Sequence, residues 1–187
     1  MATTTTSPPL AAVSSSDTAV AAATTATAAA SPSSTRVLLL VGLPGSGKTT
    51  FASRLVAAGG WVRVSQDDVG GSRPAVERRF KAALESGEGV VVDRCNCSVQ
   101  QRRWFIETAR SAGASVGTVL FASPVSTCIS RVNQRTDHPT LPPSASVAGI
   151  VRSFVADFEP PTAKEGVTFG RVVRTDDDTS RVLGEIF

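Results

Sequence analysis

The eight residues from Gly42 to Thr49 read GLPGSGKT, a Walker A match that follows the apolar run Val37 to Val41 and opens a helical pattern. Gly42, Gly45 and Gly47 permit the tight backbone turns that aim successive N–H groups at one point, where a Cβ would obstruct an approaching anion. Pro44 and Ser46 complete the loop, and Lys48 carries a positive charge to the outer phosphates of a nucleoside triphosphate. Thr49, followed by Thr50, offers a hydroxyl suited to Mg2+. The dipole and free amides at the start of the next helix favour the same anion. ATP and Mg2+ are the expected ligands.

Two acids stand at the ends of other apolar runs. Asp67, in Ser65-Gln66-Asp67-Asp68, is placed to take the proton of an attacking hydroxyl and hold it in line with a γ-phosphate; an acidic turn or helix cap would use the same residue as simply. Asp93 follows Val90 to Val92 as a Walker B acid would, holding Mg2+ directly or through water, unless it only terminates a strand. Arg94, Asn96 and Arg102 come next and are candidates for substrate contact. Arg131 and Arg135 lie four apart on one helical face, where their planar forks of donors would close over a triphosphate.

The elements that must position these groups alternate between strand and helix. A helix over Thr49 to Ala58 ends at Gly59 and Gly60, and a strand runs from Trp61 to Val64. Pro74 starts a helix that continues to Glu85, with Gly87 behind it; Val90 to Val92 is a short buried strand. Ser98 and Gln101 form a capping box for a helix to Ala112, ahead of a strand from Val116 to Phe121. Ser123 and Pro124 open a helix through Arg135, a proline-bearing loop spans Thr136 to Ser144, and a further helix covers Ser146 to Phe158. A strand over Val167 to Arg174 and a short helix close the pattern. Five strands joined by helices imply an α/β fold of the P-loop NTPase kind, a parallel five-stranded sheet sandwiched by helices, with ligands at the carboxyl ends of the strands.

Residues 1–34 read differently. They are almost entirely Ala, Thr, Ser and Pro with Asp17 as the only charge, a composition of disorder or of a transit peptide lacking its usual arginine. The apolar stretch Ala19 to Ala23 is too short to span a bilayer, so the expectation is an intracellular protein, nuclear, cytoplasmic or organellar, with no membrane contact. Residues 35–187 hold all 19 Lys and Arg and 15 of the 16 acids, a net charge of +4. Nine arginines between Arg73 and Arg135 would attract a polyanion or lie on solvated helix faces. Cys95, Cys97 and Cys128 lack a zinc spacing, and His138 is the only histidine, so neither zinc nor histidine-triad chemistry is expected. The N-K-x-D signature of a GTPase is also missing.

GLPGSGKTTF, VSQDD, VVVDRCN with QQRR, RVNQRTDH and FEPPTAKEG occur in the order found in polynucleotide 5'-hydroxyl kinase domains, which residues 36–174 resemble. The likeness extends to the kinase module of polynucleotide kinase-phosphatases and to the kinase-like domain of plant aprataxin-type proteins. It implies transfer of the ATP γ-phosphate to a 5'-hydroxyl end of DNA or RNA in end processing or repair. Asp67 would be the base, Lys48 and Thr49 would hold phosphate and Mg2+, Asp93 would organise the metal and substrate side, and Arg135 with Arg131 would form the lid. Gln66 stands where the family often has arginine, and Gly70 where the phage enzyme has a substrate-contacting arginine, two departures that bear on contacts to the 5' end. Asp176-Asp177-Asp178-Thr179 lacks the glycine of a D-x-D-G-T phosphatase motif and reads as a helix N-terminus. The expectation is thus a monomeric kinase module without a phosphatase; a small-molecule kinase or an ATP-binding scaffold on the same fold are the alternatives.

Overall fold

The computed structural model describes residues 36–70, 72–134 and 146–186. The leader, Arg135, His138 and the proline-bearing loop lie outside the described residues. Strand β1 (Arg36–Gly42) leads into helix α1 (Lys48–Ala57), β2 (Trp61–Ser65), a 3-10 turn (Asp67–Val69) and α2 (Arg73–Leu84). Then come β3 (Gly89–Asp93), α3 (Val99–Ser111), β4 (Ser115–Phe121), α4 (Val125–Asn133), α5 (Val147–Ala156), a second 3-10 turn (Ala163–Glu165), β5 (Phe169–Val173) and α6 (Asp176–Ile186).

All five strands are parallel, in the order β2-β3-β1-β4-β5. This is the expected P-loop NTPase fold. Strand β1 is central and alternates its side chains between two cores, because successive residues of a strand face opposite ways. Val37 and Leu39 pack with Val76, Phe80, Phe105 and Ile106 of α2 and α3, whereas Leu38 and Leu40 pack with Phe51, Leu55, Val182 and Leu183 of α1 and α6. Each such side chain, fully buried, contributes about 1.5–3 kcal/mol. The connection after β1 runs to β2 on one side and that after its neighbour β3 runs to β4 on the other, so a crevice opens at the carboxyl ends of β1 and β3, where the glycine loop begins.

Two short elements were not foreseen. Both 3-10 turns are single turns of three residues, too brief to show a hydrophobic period, and each ends at a left-handed glycine, Gly70 and Gly166. The capping box of Ser98 and Gln101 is present. Asp178, in the acidic run, accepts from the amides of Arg174 and Thr175 and from Arg181, and these contacts hold its carboxyl down at about 2. That run is a helix start.

One buried cation ties the loops above the sheet together. Arg102 of α3 is wholly enclosed: Nε and Nη2 donate to the two carboxylate oxygens of Glu165 at 2.7 and 2.9 Å, and Nη1 donates to the carbonyls of Asn96, Cys97 and Glu159. Glu165 is 7% exposed. Removing one partner from such a pair leaves an unmatched charge in a medium that cannot solvate it. Glu165→Gln should therefore cost about 3 kcal/mol, read as a melting temperature lower by roughly 6–12 °C. Arg102→Met combined with Glu165→Leu should recover much of that loss.

Candidate functional site

The glycine loop leaves β1 with backbone angles that only glycine adopts easily. Gly45 has φ +80°, and a Cβ there would stand 2.5 Å from the carbonyl oxygen of Cys128 and 2.8 Å from Val132 Cγ2, so α4 presses directly on the loop. Leu43 is buried among Cys128, Val151, Ile129 and Phe154, which joins the loop to α4 and α5. Gly47 serves as the N-cap of α1 with no side-chain cap, so the first amides of that helix face the loop's concave side without a competing acceptor from the cap.

Lys48 is 6% exposed and its ammonium donates to the carbonyls of Gly42 at 3.0 Å and Leu43 at 2.7 Å, and to Ser46 Oγ at 3.4 Å. Nucleotide binding must exchange these contacts for phosphate oxygens. Beside the loop a cavity of about 310 Å³ is lined by Gly45, Ser46, Gly47, Thr50, Arg54, Ser123, Arg131 and the β5–α6 segment Arg174 to Asp176, among others. Arg131 is among the residues that line this cavity. Ser123 Oγ donates to the Ser46 carbonyl at 3.3 Å and braces the loop from the end of β4. Ser123 and the β5–α6 segment were missed because single polar residues after a strand carry no sequence signal beyond that position, and Arg54 because a cation in the last turn of a helix reads as a solvated face.

On the other flank of β1 the ends of β2 and β3 lie side by side, with Ser65 paired to Asp93. Asp67 is exposed on the 3-10 turn that follows β2, its amide donating to Ser65 Oγ at 3.3 Å. Asp93 sits at the end of β3 as expected but is not an open acid. Its Oδ2 accepts from Nε and Nη2 of Arg63, at 2.9 and 2.7 Å, and the side chain is 3% exposed. Among the described residues no group of three or more His, Cys, Asp or Glu is arranged to hold a metal. Mg2+ still fits this loop through the exposed Thr49 hydroxyl, since that ion keeps several waters and takes most ligands from phosphate.

The substrate roles expected of Asn96 and Arg102 do not hold, because both are enclosed. Asn96 is 2% exposed in a left-handed conformation (φ 46°), with Nδ2 donating to the Leu40 carbonyl at 2.8 Å, and Arg102 has its donors committed to Glu165 and three carbonyls. They hold the β3–α3 segment against β1 and the glycine loop, where the Gly42 amide donates to the Cys95 carbonyl at 3.0 Å. Arg94 remains half-buried: Nε and Nη2 donate to Gln66 Oε1 at 3.1 and 2.8 Å, its guanidinium lies over the Phe105 ring, and desolvation lowers its pKa.

A family model for an AAA domain matches residues 37–161, the span from β1 past α5. The chain belongs to this AAA domain family. This AAA domain is 33% identical over 143 residues to transcription factor bHLH140 of Arabidopsis thaliana, covering 73% of the chain and 15% of that protein. It is 28% identical over 134 residues to the bifunctional polynucleotide phosphatase/kinase of Schizosaccharomyces pombe (strain 972 / ATCC 24843), covering 71% and 32%. It therefore spans a third or less of these curated relatives. Kti12 of Chaetomium thermophilum, solved with ADP-AlF3, superposes with a TM-score of 0.60 at 18% identity, covering 80% of this chain and 96% of that one. A putative kinase of Chloroflexus aurantiacus gives 0.64 at 16%, covering 83% and 96%. These structures establish the AAA domain's fold as the P-loop, kinase-like fold.

Beside the loop, the Cys95 thiol is held well below the ordinary thiol range, first by a hydrogen bond from Cys97 and then by the charge of Lys48, against the effect of burial; the same pairing, with burial, raises Cys97. A depressed thiol is already ionised at neutral pH, so iodoacetamide labelling of Cys95 should be rapid at pH 7 and nearly flat from pH 7 to 8.5, with Cys97 unlabelled. Cys97→Ala, which removes the larger of the two causes, should restore a rise over that interval. Gly45→Ala, which meets α4 at contact distances no Cβ tolerates, should weaken ATP binding at least about tenfold in a calorimetric titration.

Proposed function

We propose that this domain transfers the γ-phosphate of ATP to the 5'-hydroxyl end of DNA or RNA. The observation that carries this reading is the placement of Asp67, an exposed carboxylate held on a short turn at the end of β2, on the far flank of β1 from the cavity beside the glycine loop. The likeness to a protein named as a polynucleotide phosphatase/kinase supports the choice of acceptor.

In this reading the loop amides and Lys48 bind the triphosphate, and the Arg131 side draws charge from the transferring group, with Arg135 carrying the same role by family resemblance. Asp67 accepts the proton of the acceptor hydroxyl and orients its oxygen in line with the γ-phosphorus. Thr49 is the residue that would hold Mg2+, which supplies neutralisation of phosphate charge. Asp93 acts on this flank through Arg63. Little covalent chemistry falls to the protein; positioning and charge stabilisation do the work.

A second reading rests on a different observation. An open cleft lined by Arg73, Ser98, Gln100, Gln101, Asp157 and Glu159, among others, mixes one cation with two acids and neutral amides, which suits a hydroxyl-rich metabolite as an acceptor. Labelled γ-phosphate from ATP should appear on 5'-hydroxyl oligonucleotides. Transfer only to sugars or nucleosides would replace the polynucleotide reading with the small-molecule one, and ATP binding without any transfer would leave a scaffold. Asp67→Asn should keep ATP affinity while lowering the transfer rate by about 10²–10⁴-fold. Oligonucleotide binding should weaken steeply between 50 and 200 mM salt, about the range over which counterion release acts; binding indifferent to salt would argue against a polyanionic acceptor.

A further inference from the structure

We infer that Arg63 is a positioning residue that sets the Asp67 turn by gripping Asp93 at the end of β3 and Asp68 on the turn after β2. This rests on the reading of Asp67 as the base. Arg63 lies in the middle of β2, and its guanidinium leans toward the carboxyl end of the sheet. Two donors, Nε and Nη2, meet one oxygen of the buried Asp93, while Nη1 donates to both oxygens of Asp68, at 2.9 and 3.3 Å. Asp93 is a rigid anchor because it belongs to β3 and is 3% exposed; Asp68 is 52% exposed and belongs to the turn. One planar fork therefore connects a fixed strand to the element that carries Asp67.

The turn is held at three consecutive residues. Arg94 donates twice to the Gln66 side chain, the Asp67 amide donates to Ser65 Oγ, and Arg63 holds Asp68. The Asp67 side chain is exposed between two tethered neighbours. A strand-to-strand staple would need the Asp93 contact alone; the reach to Asp68 is what makes the geometry of the turn depend on Arg63. A lysine cannot take its place, since a single ammonium does not present two divergent sets of donors. The same pairing explains why Asp93 is engaged by a cation of the protein itself.

A misplacement of about 1 Å in a reacting group costs on the order of 10²-fold in rate, so Arg63→Met should lower kcat by roughly 10–100-fold with the KM for ATP unchanged. Arg63→Lys should not rescue it, and Asp68→Asn should share the defect. In the Asp67→Asn background Arg63→Met should cost less than about threefold, because a displaced base that no longer exists cannot be missed. Hydrogen exchange of the amides at 66–70 should rise in Arg63→Met and Asp68→Asn while that of α1 stays as in the wild type. Additive losses in the double variant, rescue by lysine, or unaltered exchange at 66–70 would each overturn the inference. The exchange measurement needs no acceptor. A wild-type protein that labels no hydroxyl would therefore sink the kinase reading while exchange still decides whether Arg63 holds the turn. Should Arg63→Met fail to fold, Arg63→Lys and Asp68→Asn decide the question by the same two measurements.

Discussion

A buried guanidinium has to be matched from inside the protein, and the matching of Arg102 draws the upper rim of this domain to one point. Glu165 supplies the charge, and carbonyls of Asn96, Cys97 and Glu159 supply the remaining acceptors. Two of these carbonyls belong to the β3–α3 segment, which in turn receives the Gly42 amide and so touches the start of the glycine loop. The loop that binds phosphate is therefore seated on a segment whose own course is dictated by a charge at the end of the first turn of α3. Loss of that charge balance would loosen the site from behind without altering a residue that meets a ligand.

The two flanks of β1 carry different electrostatics. On the α4 side, Arg54, Arg131 and Arg174 line the cavity with one acid, Asp176, and the buried Lys48 lies in the adjoining loop. On the β2–β3 side, Asp68 and Asp93 share the guanidinium of Arg63, Asp67 stands exposed beside Asp68, and Arg94 lies half-buried next to them. A polyphosphate is accordingly favoured on one flank, and a carboxylate able to accept a proton stands on the other. The central strand keeps them apart and in register, since β1 is buried on both faces and has no freedom to shift relative to its neighbours.

Much of this arrangement was legible in the residues. The strand and helix alternation followed from apolar runs bounded by glycine and proline, and the GLPGSGKT loop fell where a parallel sheet places its ligands. The capping box at Ser98 and the acidic start of α6 were readable because each satisfies exposed amides by a fixed local spacing. What failed was orientation. Arg102 has the same type and nearly the same neighbours as a substrate-contacting arginine, and only the long-range approach of Glu165, 63 residues away, turns it inward. Arg63 was overlooked for the converse reason: a charged residue inside a strand reads as the exposed face of an edge strand, and nothing local announces that two distant carboxylates converge on it.

The seating of Gly45 beneath the Cys128 carbonyl, with Leu43 sealed among α4 and α5 side chains, has a bearing on how fast this domain exchanges its ligand. A phosphate loop surrounded only by solvent would open as an independent flap. Here the loop abuts the backbone of a helix, which cannot compress, so the peptide at Gly45 moves only as far as α4 withdraws. The rate at which a nucleotide enters or leaves is then governed by the lateral slide of a helical pair over an apolar bed, a slower and more temperature-sensitive event than the flexing of a glycine-rich turn.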